Sequence, residues 1–429
     1  MDFEESVKYI TEYPRFKKIP SLDGIKSLLV SLGNPEKRIK TINVAGTNGK
    51  GSTVAMLSSV LSTAGYKTGR YVSPFVLEFR ERMMINDKMI GRKRLAKIMS
   101  TVREHADALR EHGTMLNAFE VTTAAALLWF AEEECDVVVL EAGIGGRFDA
   151  TNAVPEPILQ IITAVGLDHM AQLGSTVEEI AAEKCGIMRP GCTLLTCPNQ
   201  DPAARAVMIS KCAELEATFV MGSAGKGKII AESVEGTDLL VGKTELSIPF
   251  GGEHQISNAL TVVSAVDILR EKGFAITDEQ LIEGIAAAKF PARFEVCSKS
   301  PLIILDGAHN PQAAAALAAG VEKFLPKHRA LLCGMMADKD CAGVMSILAP
   351  LFDRVITVPV QSPRAIAPQA LAALAAPYCA DVSAADDAPS ALAAAIEKLP
   401  PDGALVVAGS LYLASELRPQ LMRYKGKSE

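Results

Sequence analysis

A glycine-rich stretch, VAGTNGKGST at residues 44–53, joins a short apolar run to a helical pattern. The run KTINVA at 40–45 predicts a β-strand that ends at the first loop glycine. Beyond the loop, apolar residues recur at helical spacing at Val54, Leu57 and Leu61. The order strand, tight loop, helix is the context that a phosphate-binding loop requires, and it commits this part of the chain to an α/β layer.

The residue types of this loop suit a nucleotide phosphate. Gly46, Gly49 and Gly51 let backbone N–H groups converge on phosphate oxygens, and the following helix adds its positive N-terminal end. Lys50 can neutralise charge on the β- and γ-phosphates. The stretch departs from the usual pattern G-x-x-x-x-G-K-[ST], because Val44 replaces the first glycine and Gly51 follows the lysine. The alternative is a glycine-rich turn with an incidental lysine, but the strand–helix context favours a phosphate loop.

Apolar strand-like runs and helical patterns alternate along both halves of the chain. In the first half, DVVVLEAG and ILQIITAVG are continuous apolar strands, typical of a parallel sheet covered on both faces. After PARFEV the alternation restarts with LIILDG, RALLCGMM, RVITVPV and ALVVAG. We therefore predict an α/β protein with a doubly wound, mostly parallel P-loop domain at 1–296 and a smaller Rossmann-like domain at 297–429. Short β-like runs at 218–250 predict a small antiparallel insertion.

Composition and charge exclude several classes of protein. The chain has 429 residues, a net charge of −6 and 5% aromatic residues, which argues against a nucleic-acid-binding protein because those present a basic face. No apolar run approaches the roughly 18 residues of a membrane-spanning helix, and the N-terminal MDFEESVKYI lacks the apolar region of a signal peptide. Nine cysteines are scattered singly, as in a reduced cytosolic protein. We expect a cytoplasmic protein with no nucleic-acid or membrane partner.

Polar residues follow two apolar strands of the first half. Glu141 ends VVVLE before a glycine-rich loop, where a second carboxylate of a P-loop site is expected to hold Mg²⁺. The alternative is a strand-end glutamate that faces solvent. His169, after Asp168, can be a metal ligand through its neutral imidazole or a structural histidine, and the sequence leaves both open. We expect Arg147 and Asp149 to structure the loop that follows Glu141.

The segment STVEEIAAEKCGIM predicts another helix. Its S-x-x-E pattern from Ser175 to Glu178 indicates a capping box, with the helix starting near Ser175. Lys184 on this helix reads by default as a solvated lysine, because nothing local marks it.

Further polar residues occur around the predicted break between domains. In LDGAHNP, Asp306 ends a strand and His309 is presented before Pro311 starts a helix. Arg293 lies at the break itself, and HQISNA at 254–259 is a second polar group. These residues form either an ordinary strand–helix turn or part of a nucleotide-lining set.

Nine segments of the chain form a recognisable series: VAGTNGKGST, YVSPFVLEFRERM, AFEVTTAAALLWF, EAGIGGRFDATN, ITAVGLDHMAQLG, IAAEKCGIM, HQISNA, PARFE and LDGAHNP. In their order and approximate spacing, over roughly residues 20–410, the chain resembles the folylpolyglutamate synthase / dihydrofolate synthase family of the Mur-ligase superfamily. The K-G-S form of the loop and SPFVLEFRERM distinguish it from the cell-wall Mur ligases, whose loops look like GTNGKT.

The resemblance implies an ATP-dependent amide ligase. In that family ATP phosphorylates a carboxylate of the pterin substrate, and the α-amino group of glutamate attacks the acyl phosphate. The carboxylate is that of dihydropteroate in one activity and the γ-carboxylate of a folate glutamate in the other. The implied cofactors are ATP and Mg²⁺, with K⁺ as a further candidate. The implied partners are ATP, L-glutamate and dihydropteroate or a reduced folate, and the implied state is a monomer.

The resemblance also assigns roles residue by residue. The implied nucleotide-binding residues are Gly46, Thr47, Asn48, Gly49, Lys50, Gly51, Ser52, Asn258, Arg293 and Asp306. The implied catalytic residues are Lys50, Lys184, His169 and His309. The metal-ligand positions match Ser73, Glu141 and His169, and the pterin-binding positions match Pro74, Phe75, Arg82 and Phe119. Lys184 matches a lysine that is carbamylated in these ligases, a change that would make it a carboxylate-like Mg²⁺ ligand.

Two of these matches carry a qualification. Cys185 stands where the family usually has alanine, which places a thiol beside Lys184. Phe75 and Phe119 can stack on a flat heterocycle or can belong to the core.

Other functions compete with this interpretation. A nucleotide-hydrolysing switch or motor could use the same loop, and a degenerate relative could hold folate without ligation. Against degeneracy, Lys50, Glu141, His169 and Lys184 are all present. Another Mur-type ligase is the nearest alternative, but the 45 residues before Gly46 are too few for a nucleotide-sugar-binding N-terminal domain.

Overall fold

The computed structural model describes residues 1–15, 17, 19–222, 227–400 and 402–424. Packing divides the chain into two compact units. Unit 1 comprises Met1–Lys226 and Ser257–Ala288, and unit 2 comprises Gly227–Ile256 and Lys289–Glu429. The expected division of the chain into domains at 296/297 stays a prediction.

Unit 1 is built on an eight-stranded sheet. Its strands are β1 (Lys40–Ala45), β2 (Thr68–Tyr71), β3 (Met83–Ile85), β4 (Lys88–Met89), β5 (Val137–Glu141), β6 (Leu159–Ile162), β7 (Thr193–Thr196) and β8 (Thr218–Met221). Their order is β4-β3-β2-β5-β1-β6-β7-β8. All neighbours pair in parallel except the β2–β3 and β3–β4 pairs at one edge, which are antiparallel. The predicted doubly wound, mostly parallel sheet is therefore confirmed.

Helices belonging to unit 1 precede, connect and follow these strands. They are α1 (Phe3–Thr11), α2 (Asp23–Ser31), α3 (Lys50–Thr63), α4 (Arg92–Glu111), α5 (Ala118–Glu132), α6 (Met170–Leu173), α7 (Val177–Cys185), α8 (Pro202–Glu214), α9 (Glu253–Glu271, in unit 1 from Ser257) and α10 (Asp278–Ala286). Short 3-10 helices lie at Pro35–Arg38, Phe79–Arg82 and Ala150–Ala153. Helix α5 is apolar on every side and almost wholly buried, as a helix deep in such a layer must be.

Strand register places four strand ends side by side. Val44 of β1 pairs with Glu141 of β5, and Tyr71 of β2 pairs with Leu140 of β5. On the other side, Ala45 of β1 pairs with Ile162 of β6. The segments that follow β2, β5, β1 and β6 therefore leave the sheet at one edge. Ligands of open α/β sheets bind at this carboxyl edge.

Two expectations about local structure need correction. The predicted capping box from Ser175 to Glu178 is wrong by one residue, because helix α7 is capped by Thr176 with Glu179. The Glu179 carboxylate also accepts the backbone N–H of Ser175, at 2.6 Å. The antiparallel insertion is also shorter than predicted, since β8 within 218–250 joins the large sheet parallel to β7. Residues 223–226 of that span lie outside the described residues.

Unit 2 contains two sheets. The antiparallel sheet consists of β9 (Gly227–Ser233), β10 (Gly236–Val241) and β11 (Thr244–Ile248). The larger sheet consists of β12 (Glu295–Lys299), β13 (Leu302–Leu305), β14 (Arg329–Cys333), β15 (Arg354–Thr357), β16 (Asp381–Ala384) and β17 (Ala404–Ala408), in the order β12-β13-β17-β14-β15-β16. Only β12 is antiparallel to its neighbour, as expected for a Rossmann-like layer with one added edge strand.

Helices alternate with the strands of this larger sheet. They are α11 (Pro311–Phe324), α12 (Cys341–Leu348), α13 (Pro368–Ala375), α14 (Ala388–Lys398) and α15 (Leu411–Leu421), with a 3-10 helix at Ala349–Leu351. The alanine-rich tract of this region thus forms ordinary helices, and its leucine and isoleucine residues face the core. Each unit has its own apolar core. Because burial of apolar surface in these cores stabilises the fold, the ends of the strands can carry polar residues.

Candidate functional site

The glycine loop between β1 and α3 depends on two positions that exclude a side chain. Gly46 has φ +149° and Gly49 has φ +85°, conformations that L side chains rarely adopt. A Cβ atom on Gly46 would lie 1.9 Å from Thr163 Oγ1, and one on Gly49 would lie 2.3 Å from Asn258 Oδ1. The loop is therefore packed against β6 on one side and α9 on the other. The family resemblance assigns Asn258 to nucleotide binding, whereas neither the resemblance nor the sequence pattern marks Thr163.

The segment after β6 holds the loop in place. The backbone N–H groups of Thr47 and Asn48 donate to the Ala164 carbonyl, at 2.8 and 3.2 Å. The Thr47 hydroxyl donates to the Gly166 carbonyl at 2.9 Å. Thr163 Oγ1 lies 2.8 Å from the Asn48 carbonyl. These hydrogen bonds tie the loop to the segment that follows β6.

Two lysines converge on one carbonyl of the loop. Lys50 Nζ donates to the Gly46 carbonyl at 3.0 Å and to the Thr47 carbonyl at 3.1 Å. Lys184 Nζ, from helix α7, donates to the same Gly46 carbonyl at 2.8 Å. Lys184 is only 2% exposed, so its default interpretation as a solvated lysine is wrong.

The environment of Lys184 disfavours its charged form. Burial lowers the pKa of Lys184 from its usual value to about 7, and the nearby charge of Lys50 acts in the same direction. Asp168 and Asp149 oppose this shift but do not cancel it. A neutral amine is therefore available near neutral pH. The neighbouring Cys185 is buried, and burial raises the pKa of its thiol to about 12, so that thiol stays protonated and packs in the core.

Glu141 lies beside Ser73 at the same sheet edge. The Glu141 side chain is buried, and its Oε2 accepts the backbone N–H of Ser73 at 3.2 Å. The alternative of a solvent-facing glutamate is therefore wrong. His169 follows β6, starts the short helix α6 and has φ +50°. Its backbone N–H donates to Asp168 Oδ1 at 2.7 Å.

The described residues contain no cluster of three or more His, Cys, Asp or Glu side chains that could by itself hold a metal ion. Magnesium sites in phosphate-transferring enzymes need no such cluster, because the substrate phosphates and water fill most of the octahedron. A buried carboxylate at Glu141 beside the phosphate loop fits that pattern.

Asp149 organises the loop after β5. Its carboxylate accepts the N–H groups of Gly143 and Ile144 at 2.8 and 3.0 Å. It also accepts both the N–H and the hydroxyl of Thr151. Arg147 is about half exposed and pairs with Glu183 at 3.3 Å. The prediction that Asp149 and Arg147 structure this loop is confirmed by these contacts.

The segment after Ser73 presents aromatic rings with an arginine. The Arg82 guanidinium lies 5.4 Å from the Phe75 ring and 5.6 Å from the Phe79 ring. Phe119, at the start of α5, lies 5.9 Å from the Tyr71 ring. Phe75 and Phe119 are partly exposed and pack against the core cluster of unit 1. Each ring therefore packs against the edge of the core and also leaves part of its surface exposed to solvent.

The remaining predicted residues form a separate group in unit 2, at the end of β13. The Asp306 carboxylate accepts the N–H groups of Phe294 and Ala308, both at 2.7 Å. Arg293 donates to the Ala292 carbonyl at 3.1 Å, and His309 Nδ1 lies 2.8 Å from the Gly307 carbonyl. Because a carbonyl only accepts, Nδ1 is the nitrogen that donates in this contact. His254, predicted as a further lining residue, is half-buried, and the desolvation of its ring lowers its pKa.

The comparisons with known proteins match both units. Residues 44–266 match the Mur ligase middle domain, and residues 292–411 match the Mur ligase glutamate ligase domain. The chain is 34% identical to folylpolyglutamate synthase of Lacticaseibacillus casei over 434 residues, covering 98% of this chain and 99% of that protein. It is 33% identical to the dihydrofolate synthase/folylpolyglutamate synthase of Bacillus subtilis over 430 residues, with the same coverage.

Solved structures agree with these sequence matches. Mycobacterium tuberculosis folylpolyglutamate synthase complexed with ADP superposes with a TM-score of 0.89 at 27% identity, covering 98% of each chain. The Escherichia coli protein FolC in complex with DHPP and ADP superposes with a TM-score of 0.86 at 26% identity, again covering 98% of each chain. No described helix is long and apolar enough to cross a membrane. The domain matches and the full-length relatives together show that the chain belongs to the folylpolyglutamate synthase / dihydrofolate synthase family of Mur ligases.

Proposed function

We propose that this protein is an ATP-dependent ligase that adds L-glutamate to dihydropteroate, to the γ-carboxylate of reduced folates, or to both, through an acyl phosphate. The observation that carries the proposal is the pair of lysines at the phosphate loop, one of them buried with a pKa near 7. A simple nucleotide hydrolase needs only the first lysine. The second, as a carbamate, would bind or orient the Mg²⁺ ion that lets a further anion, the substrate carboxylate, approach the triphosphate.

The loop supplies the triphosphate site of this proposal. Residues 46–52 offer backbone N–H groups and the N-terminus of α3, and Lys50 exchanges its loop carbonyls for phosphate oxygens. Asn258 lies against Gly49 and is proposed to contact the nucleotide. Arg293, Asp306 and His309 of unit 2 are proposed to contact it as well.

Glu141, Ser73 and His169 are the proposed Mg²⁺ ligands, with the carbamate of Lys184 as a further anionic group that binds or orients the ion. Bound Mg²⁺ would screen the phosphate charge so that a carboxylate can attack the γ-phosphorus. Mg²⁺ prefers oxygen ligands, which the Glu141 carboxylate, the Ser73 hydroxyl and a lysine carbamate all provide. K⁺ remains a second candidate cation for the reaction.

The carbamate of Lys184 is proposed to form from CO₂. The neutral amine attacks the carbon of CO₂ and a C–N bond forms, while one C=O π bond opens to place the negative charge on oxygen and one N–H bond breaks to release its proton to solvent. The neutral amine is thereby replaced by an anion. The charge of Lys50 disfavours the ammonium form of Lys184 and favours the carbamate, which sets an opposite charge beside Lys50.

The substrate pterin is proposed to lie on the surface formed by Pro74, Phe75, Arg82 and Phe119. Flat heterocycles stack on aromatic faces. The Arg82 guanidinium is held over the Phe75 and Phe79 rings, and in that position it can pair with a carboxylate of the substrate. Once the acyl phosphate has formed, the α-amino group of glutamate attacks its carbonyl carbon and phosphate leaves.

We also propose that the protein works as a cytoplasmic monomer.

Phosphate release tests the proposed activity directly. With ATP, Mg²⁺ and L-glutamate present, we expect release to require dihydropteroate or a reduced folate, and the product to be heavier by one glutamate residue in mass spectrometry. Release that proceeds equally without either acceptor would identify a P-loop ATPase instead. The acceptor that supports turnover also decides which of the two activities is present.

Gly51 follows Lys50, so the loop lacks the metal-binding hydroxyl that is usual at that position. Ser52 and Ser73 are the two candidates to supply it. We predict that Ser73→Ala raises the Mg²⁺ concentration needed for half-maximal ligation by about tenfold, because a direct ligand is lost. Ser52→Ala should instead raise the KM for ATP and leave the Mg²⁺ requirement nearly unchanged, because Ser52 lies in the first turn of α3. Titrations of Mg²⁺ and of ATP with each variant measure the difference. The reverse pattern would assign the metal to Ser52.

A further inference from the structure

A cavity of about 400 Å³ lies within unit 1, at the edge of the large sheet opposite to the phosphate loop. Its wall includes Lys40, which begins β1, and Thr193, which begins β7. The loop follows the other end of β1, five residues further on, which corresponds to about 16 Å of extended strand. None of the residues proposed for ligation lines this cavity.

The cavity has an excess of positive charge. Lys40, Arg189 and Lys272 line it, against one carboxylate, Glu156. No ion pair to any of the three cations occurs among the described residues. Such a group is unusual in a protein with a net charge of −6, where carboxylates outnumber cations.

Two of the cations are fixed in place by neutral groups. The Arg189 guanidinium donates only to neutral oxygens, so its charge stays uncompensated. These oxygens are the Asn152 side-chain oxygen and the backbone carbonyls of Asn152, Val154, Pro155, Ile187 and Met188. The Lys40 ammonium lies 5.5 Å from the centre of the Phe274 ring. The Phe274 ring is itself held by Tyr66, at 5.1 Å. Protein groups alone therefore account for the positions of these two cations.

A buried acceptor adds an independent observation. Gln160 of β6 lines the cavity and is 1% exposed. Its Nε2 lies 3.4 Å from the Pro157 carbonyl, but its Oε1 has no hydrogen-bond partner among the described residues. A buried polar atom in a native protein is expected to have a partner. A donor group on a ligand, directly or through a water molecule, would provide one.

We propose that this cavity is a second binding site, for a small organic anion that carries at least two carboxylate or phosphate charges and one N–H or O–H donor. The volume lies in the range of small-molecule sites, and the three cations match the charge of such a ligand. Lys40 and Lys272 would contact its anionic groups directly, whereas Arg189 acts through its field because its donors are already used.

Isothermal titration calorimetry on the whole chain tests this proposal with two probes, citrate for carboxylates and glucose 6-phosphate for phosphates. We expect binding of at least one probe, weakened at least tenfold in the double variant Lys40→Gln/Lys272→Gln. The matched control is Lys93→Gln/Lys97→Gln, which removes the same charge from exposed positions of α4 and should bind as the parent does. The tighter probe identifies the anionic group of the natural ligand.

A second arm separates this site from the phosphate loop. The titration is repeated with the loop saturated by a non-hydrolysable ATP analogue, and we expect the probe to bind unchanged. Binding that disappears under the analogue, or that survives Lys40→Gln/Lys272→Gln at full strength, would overturn the proposal, as would the absence of heat with both probes. None of these outcomes bears on whether the protein ligates glutamate.

Discussion

Lys184→Ala is expected to lower the rate of glutamate ligation by about two to three orders of magnitude, the usual cost of removing one group that stabilises developing charge. The side chain is buried beside the phosphate loop and donates to the Gly46 carbonyl. In the proposed reaction its carbamate supplies negative charge to the metal site. Alanine supplies neither that charge nor the hydrogen bond.

The pKa of Lys184 explains why this position can be modified. An exposed lysine is almost fully charged at pH 7.5, and only the neutral amine reacts with CO₂. With its pKa lowered to about 7, Lys184 has a substantial neutral fraction at that pH. The neutral fraction grows as pH rises through 7. At constant dissolved CO₂, carbamylation should therefore increase from pH 6 to pH 8, as measured by ¹³C NMR of protein equilibrated with ¹³CO₂.

Short carboxylates provide the decisive control for Lys184. Acetate or propionate should partly restore ligation by Lys184→Ala, because the vacated space lies beside Lys50 and admits an anion. Neither should help Lys184→Arg, whose guanidinium keeps its charge and fills the space. Full activity in Lys184→Ala, or the same ¹³C signal in Lys184→Arg as in the parent, would refute the carbamate role.

The loop and its neighbours mark how far the sequence predicts this site. Gly46, Gly49 and Lys50 are contiguous, and an apolar strand and a helical pattern flank them, so local rules suffice to identify them. Glu141 was found because parallel strands end at a common edge. Thr163 and the burial of Lys184 were missed, because both depend on what β6 and α7 pack against. A threonine at the end of an apolar strand was the available signal for Thr163.

Local ambiguity accounts for the errors in the fold. The run STVEE contains two overlapping S/T-x-x-E patterns, Ser175–Glu178 and Thr176–Glu179. Both match the capping-box pattern equally well, so the pattern alone does not predict that Thr176–Glu179 forms the box. The β-like pattern of the short strand β8 resembles that of the antiparallel strands that follow it, although β8 pairs in parallel with β7. Pairing partners of short strands are set by packing in three dimensions, which periodicity does not report.

Glu141→Gln is expected to lower ligation by about two orders of magnitude and to raise the Mg²⁺ concentration at half-maximal rate by more than tenfold. Glutamine keeps the shape of the side chain and an oxygen that can accept the Ser73 N–H, now at 3.2 Å from Glu141 Oε2. It removes only the negative charge. A loss in this variant therefore reports the metal rather than the local fold.

Asp149→Asn is the matched control for Glu141→Gln. Asp149 is a second buried carboxylate of the same unit, but its oxygens already accept N–H and hydroxyl groups of its own loop. We expect Asp149→Asn to lower the melting temperature, because its carboxylate holds the loop. The Mg²⁺ requirement of the folded enzyme should stay unchanged, because losing the Asp149 charge lowers the pKa of Lys184 further and so keeps its amine neutral. If both variants shift the Mg²⁺ titration equally, the effect belongs to buried negative charge in general, and Glu141 is not the ligand. If Glu141→Gln alone shifts it, the carboxylate at the end of β5 binds the ion that the loop hydroxyls cannot hold by themselves.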